Sequence, residues 1–147
     1  MTTLIGLDHG SRRIGVAVGD TETGMAFPRS AIIRRRLDMD LEAVRALVDA
    51  EGAALVVLGL PLNMDGSEGE QASAARAFGA ELSAAGLTVR YEDERLSSWE
   101  AEAQMRESGR SRRADRRGGE LDSTAARVIL QQYLDARRAT GAHEETE

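Results

Sequence analysis

The sequence predicts an α/β fold around a five-stranded mixed β-sheet, and three observations carry that prediction. Apolar runs near residues 3–8, 13–19 and 26–33 follow one another across short turns, so the first three strands are expected to be antiparallel neighbours. Further runs near residues 54–60 and 87–92 are separated by helix-length segments, so these later strands are expected to run parallel. Helical periodicity fills the intervals, at Leu41, Val44, Leu47 and Val48, at Ala75, Phe78 and Leu82, at Ala101 and Met105, and at Ala125, Ile129 and Tyr133. The expected order is βββαβαβαα.

Taken in order, the first strand ends in a charge. Asp8 closes the run Leu4, Ile5, Gly6, Leu7 and is followed at once by His9, Gly10 and Ser11, after which Ile14 to Val18 begins a second run. Asp8 therefore sits at the lip of a hairpin, partly removed from water, and a charge so placed calls for a cation. Residues 59–70 (GLPLNMDGSEGE) have no periodicity and carry Pro61, Asn63, Asp65 and Gly66, which marks a loop leaving the carboxyl end of a buried strand, where ligand sites concentrate. In the run Tyr91, Glu92, Asp93, Glu94, alternation sends Asp93 and Glu94 to opposite faces. One of them joins Asp8 and the other caps the helix begun by Ser97 and Ser98, and alternation alone does not say which.

Residues 109–119 hold three glycines and almost no apolar side chain, which predicts a loop that stays mobile until substrate arrives. The last helix opens at Asp122 and ends near Arg138, leaving residues 139–147 as a patternless, disordered acidic tail. With 147 residues and 41% of them hydrophobic, the chain can bury one core, and residues 1–138 read as a single domain.

Composition narrows the chemistry. There is no cysteine, which removes thiol nucleophiles, thiolate zinc sites and disulfides. Neither a basic leader with an apolar core nor a stretch of about 18 apolar residues is present, so a cytoplasmic protein without a membrane partner is expected. The net charge is −6, yet between residues 106 and 117 six arginines face only Glu107 and Asp115. Distribution outweighs the sum, and that segment suits phosphate. The absence of lysine is read as codon bias.

Three carboxylates at element ends, Asp8, Glu94 and Asp122, point to a hard-metal site. Oxygen ligands suit Mg²⁺ or Mn²⁺, and a divalent ion offsets the repulsion that pushes clustered carboxylates toward protonation. The chemistry implied is phosphoryl transfer. Each acid also has a structural reading, Asp8 as an Asx-turn residue and Asp122 as a favourable charge in a first helical turn. Only their convergence on one sheet and its covering helix makes a site. A Ser-His-Asp triad lacks a suitable histidine, because His143 lies in the tail and His9 points away from Asp8, where it reads as a solvated turn residue. The glycines match neither a dinucleotide fingerprint nor a phosphate loop. Tyr91 and Trp99 serve base stacking or the core equally well.

The segments LDHGSRRIGVAVGD, VVLGLPLNMDGSEGEQA, DERLSS and LDSTAARVILQQYLD together resemble the YqgF family, also described as Holliday junction resolvases or pre-16S ribosomal RNA nucleases. The resemblance runs from about Leu4 to Asp135. It implies a ribonuclease H-like fold and a carboxylate site of Asp8, Glu94 and Asp122, with Glu94 on the glutamate of the Asp-Glu-Arg signature. Arg12 stands where the family often has lysine, and His9 where it is often apolar or aromatic.

The implied mechanism is phosphodiester hydrolysis assisted by two divalent ions about 4 Å apart. Asp8 would bridge them, and Glu94 and Asp122 would complete the coordination. Arg12, Arg95, Arg110, Arg112, Arg113, Arg116 and Arg117 would bind backbone phosphates without reading sequence, with Asn63 and Asp65 at the substrate entrance. Processing of the 5′ end of pre-16S rRNA is favoured, with resolution of branched DNA as the alternative and a non-catalytic nucleic-acid-binding module as a third reading. An actin-like phosphotransferase would need a second domain to close over ATP. A monomer suffices for trimming, whereas two symmetric cuts require a homodimer.

Overall fold

The structure, a computed structural model, describes residues 2–93 and 120–140, with the side chains of residues 120–122 and 139–140 outside that description. Strands β1 (Thr3–His9), β2 (Arg13–Asp20) and β3 (Ala26–Ile33) are followed by helix α1 (Leu37–Glu51), β4 (Ala53–Leu60), α2 (Glu70–Ala84), β5 (Val89–Asp93) and a C-terminal helix α3 (Glu120–Thr140). The sheet order is β3-β2-β1-β4-β5. β1 pairs antiparallel with β2 and parallel with β4, while β2–β3 is antiparallel and β4–β5 parallel. The expected mixed sheet is therefore present strand for strand.

Alternation along β1 divides the core. Ile5 and Leu7 face one side with Ile14, Val16, Val56 and Leu58, covered by Val44 and Val48 of α1 and Phe78 and Leu82 of α2. Leu4 faces the other side with Ala17, Ala26 and Val57, covered by Ala126, Ile129, Leu130 and Leu134 of α3. By the same alternation Gly6 and Asp8 belong to the α3 face and His9 to the opposite one.

Helix α3 lies very close to the sheet at Gly6. A Cβ there would meet Leu130 Cβ at 2.7 Å and the Ala126 carbonyl oxygen at 3.1 Å, so only hydrogen fits. Ser123 Oγ donates to the Arg29 carbonyl of β3, and Gln131 bridges the β2–β3 hairpin by donating to Gly24 O (2.7 Å) while accepting from Ala26 N (2.9 Å). These contacts fix the helix both along and across the sheet.

Three expectations are corrected. β5 begins at Val89 instead of residue 87, because the Leu87 N–H donates to Leu82 O (3.1 Å) and so closes the end of α2. Helix α3 runs to Thr140, two residues into the expected tail, with Arg137 and Arg138 favourably placed in its last turn. The end of β1 includes His9, which is not a turn residue. The expected helix around Ala101 and Met105, the arginine-rich loop at 109–119 and residues 141–147 lie outside the described residues. No helix among the described residues is long and apolar enough to cross a membrane.

Gly6→Ala should lower the stability of the fold by about 1–3 kcal/mol, since the added methyl overpacks the α3 contact. The urea unfolding midpoint measures it, and the loss should exceed that of the same change at Gly69, where a Cβ meets only Asn63 side-chain atoms at 3.5 Å or more.

Candidate active site

Asp8 ends the central strand β1, half-buried, and pairs across the hairpin with Gly15. One residue beyond the Leu7–Leu58 pair it comes level with Gly59 of β4, whose own partner on β5 is Glu92. Gly59 is buried and has no side chain, so no side chain from β4 stands between these two acids on the α3 face.

The register of α3 against β1 places the third acid. Ala126 and Leu130 lie over Gly6, and Leu134 lies over Gly19, which is the partner of Leu4. Helix and strand thus run in opposite directions. Two residues of strand advance about 6.6 Å and four residues of helix about 6 Å, so the backbone of Asp122 comes level with Asp8. The Ser123 bond to Arg29 agrees, because Arg29 pairs with Val16 and Val16 with Leu7.

Glu92 was not singled out by sequence reading. It lies on the α3 face and accepts a hydrogen bond from Gln132 Nε2 at 2.8 Å. Burial raises its carboxyl above the usual range, the Gln132 bond opposes the shift, and neighbouring Asp93 adds to it. Alternation from the Val57–Arg90 pair would have found the face, but nothing local announces Gln132.

On the opposite face His9 stacks on Phe78, with ring centroids 4.7 Å apart and planes at 28°. Burial lowers its pKa, the Arg34 guanidinium lowers it further, and Asp40 opposes them. His9 is therefore a half-buried packing group favoured in its neutral form, filling the place an aromatic residue would take.

Among the basic candidates, Arg12 is exposed in the β1–β2 turn, four residues past Asp8. Asn63 lies in the loop at 61–69, where its amide donates to Ser67 Oγ (3.0 Å) and its backbone N–H to Ser67 O (2.8 Å). Asp65 accepts from Ser67 N (2.9 Å) and Ser67 Oγ (2.6 Å), so both polar side chains shape the loop itself. Tyr91 lies under the Arg76 guanidinium, 5.0 Å from its ring centroid, which favours packing over base stacking.

Glu94, Arg95, Trp99, Arg110, Arg112, Arg113, Arg116 and Arg117 lie outside the described residues, as does the side chain of Asp122. Among the described residues no group of three or more His, Asp or Glu is arranged to hold a metal ion. The donor chemistry present nevertheless fits a hard cation: a half-buried aspartate at a strand end and the acid-bearing first turn of a helix drawn level with it.

Comparison with known proteins gives a concordant picture. A family model described as RuvX, Holliday junction resolvase, matches residues 2–136. A protein of Anaeromyxobacter sp. strain Fw109-5, named as a candidate pre-16S rRNA nuclease, is 47% identical over 136 residues, covering 92% of this chain and 98% of its own length. A similarly named protein of Mesorhizobium japonicum is 42% identical over 146 residues, covering 99% of this chain and 87% of that one. In fold, the chain resembles Thermus thermophilus RuvC in complex with a Holliday junction substrate, with a TM-score of 0.58, 12% identity and coverage of 95% and 98%. It also resembles the large terminase nuclease of thermophilic phage G20c, with a TM-score of 0.55, 17% identity and coverage of 88% and 80%.

Because the folded state favours protonated Glu92, the stability this residue contributes is present below the ordinary carboxylate range and is lost as pH rises through its raised pKa. The advantage of Glu92→Gln over wild type in urea unfolding should therefore grow as pH rises from acid toward neutrality. A pH-independent difference would contradict the assignment.

Proposed function

The chain belongs to the RuvX family, and from that premise we propose that it hydrolyses phosphodiester bonds in structured nucleic acid through a site built on Asp8, Glu94 and Asp122, with the 5′ end of pre-16S rRNA as substrate. The observation that carries this reading is the placement of Asp8 at the open end of the central strand, level with the first turn of α3. The protein is a nuclease. Its near relatives named for pre-16S rRNA support the RNA substrate, and the family's description keeps a branched DNA junction as the alternative.

Asp8, Glu94 and Asp122 are the residues that would hold divalent cations, Mg²⁺ or Mn²⁺, as a two-ion site. When bound, the ions supply Lewis-acid stabilisation of phosphoryl oxygens and a water acidic enough to attack at neutral pH. Asp8, held by hairpin pairing and by the core behind β1, keeps its carboxylate fixed without reorganisation as charge develops. Arg12 binds a backbone phosphate beside the site, and its forked guanidinium gives that contact a defined orientation. Arg95, Arg110, Arg112, Arg113, Arg116 and Arg117 extend the phosphate track, and the self-bonded loop carrying Asn63 borders the substrate path. Such contacts position the chain and carry no base sequence. A monomer serves this reaction, whereas paired cuts in a junction would call for a dimer.

The test incubates wild type and Asp8→Asn with labelled precursor 16S rRNA and with a four-way DNA junction, in Mn²⁺, Mg²⁺ or EDTA. Wild type should cut the RNA with metal, and Asp8→Asn should lose at least about 100-fold in rate, beyond the 10–100-fold typical of groups one shell from a metal. Equal cutting by both proteins, or cutting that survives EDTA, contradicts the carboxylate mechanism. Cutting of the junction alone selects the alternative substrate, and binding without cutting selects a non-catalytic module.

Arg12→Ala should weaken binding to all sequences alike. The slope of log affinity against log salt should fall by about 0.7–0.9, the amount expected for one lost phosphate contact. Anisotropy titrations at several salt concentrations measure both.

A further inference from the structure

Asp8 and Arg12 are joined by a tight turn, and the groups that hold this turn come from elsewhere in the chain. The turn closes through Gly10 N donating to Arg13 O at 2.9 Å. A Cβ at Gly10 would meet that same Arg13 oxygen at 2.7 Å, so the backbone here has one compact course. Three further bonds reach the turn from Arg34, just past β3. Its backbone N–H donates to Arg12 O (2.9 Å), and its Nη1 donates to Gly10 O (2.9 Å) and Ser11 O (3.3 Å).

A surface arginine would not stay on two carbonyls without support. Support comes from Asp40, in the first turn of α1, which is 3% exposed. Asp40 Oδ1 accepts from Arg35 N at 2.9 Å, which anchors the carboxylate to the β3–α1 connection. Its Oδ2 lies 3.9 Å from Arg34 Nε, which is buried and makes no hydrogen bond. That separation exceeds a hydrogen bond, so charge attraction in a desolvated setting holds the guanidinium. The guanidinium in turn presents Nη1 to the turn.

We propose that Arg34, held by buried Asp40, is a positioning residue for the nuclease site, fixing the turn at residues 10–13 and through it the placement of Asp8 and Arg12. The inference rests on the nuclease reading above. Arg34 acts through carbonyl oxygens of the turn, which its Nη1 and its backbone N–H both engage. Losing it leaves Asp8 in the sequence but loosens the backbone that aims it, and geometry of this kind is what catalysis is most sensitive to.

The experiment compares wild type, Arg34→Gln and Arg34→Lys in three measurements: single-turnover Mn²⁺-dependent cleavage of precursor 16S rRNA, RNA affinity in EDTA across salt concentrations, and amide hydrogen exchange at Gly10. Arg34→Gln should slow cleavage by about 10–100-fold, the range for groups that orient a metal ligand. Its RNA affinity and salt slope should be unchanged, and Gly10 exchange should be faster. Arg34→Lys keeps the charge beside Asp40 and one donor to the turn, so it should recover part of both losses. It carries the comparison if Arg34→Gln does not fold.

Wild-type cleavage and wild-type Gly10 exchange in folded Arg34→Gln would overturn the proposal. So would a lower melting temperature with an unchanged cleavage rate, which marks a merely structural residue. Loss of affinity with a shallower salt slope would make Arg34 a phosphate contact and overturn it equally. If wild type cuts neither RNA nor the junction, the nuclease reading fails. Gly10 exchange then still decides whether Arg34 holds the turn.

Discussion

At Gly6 the helix α3 approaches the sheet so closely that a methyl group would sit 2.7 Å from Leu130 Cβ, and most of what positions the site follows from that approach. The contact fixes the height of the helix above β1, and the Ser123 and Gln131 bonds fix its position across β2 and β3. With height and direction set, the first turn of α3 has one place to go, level with Asp8. A slip of one helical turn, about 5.4 Å, would carry the backbone of Asp122 away from the end of β1. The small residues at the contact, Gly6, Ala17 and Ala126, therefore set where the first turn of α3 lies along β1.

Electrostatics then divides the molecule into two kinds of arginine. Arg34 is turned inward, its Nη1 on the turn carbonyls and its Nε beside Asp40. Arg12, on that same turn, is exposed and available to a phosphate. One turn thus carries both an internal fastening and an exposed arginine, next to the half-buried Asp8. The net charge of −6 does not by itself oppose a polyanionic substrate, because the distribution of charge along the chain matters more than its sum.

Much of the architecture was legible because it is written in local patterns. Short turns against helix-length gaps gave the antiparallel and parallel halves of the sheet. What was not legible depends on contacts distant in sequence. Gly10 and Ser11 after His9 suggest a solvated turn, whereas Phe78 on another element captures the ring. Glu92 gains its role from Gln132, 40 residues later. The fastening of the hairpin by Arg34 spans 24 residues and has no periodic signature. Even the start of β5 was decided by α2, which takes the Leu87 N–H for its own last turn. Local patterns were readable, and contacts between residues distant in sequence were not.

The central claim is that Asp8, Glu94 and Asp122 form one cation site beside α3. It is tested most directly by Mn²⁺ titration calorimetry in the absence of nucleic acid, on wild type and on Asp8→Asn, Glu94→Gln and Asp122→Asn singly. The account predicts Mn²⁺ binding by wild type that each substitution weakens severely, with the fold retained in all four proteins. Undiminished binding in any one of the three variants would contradict a shared site.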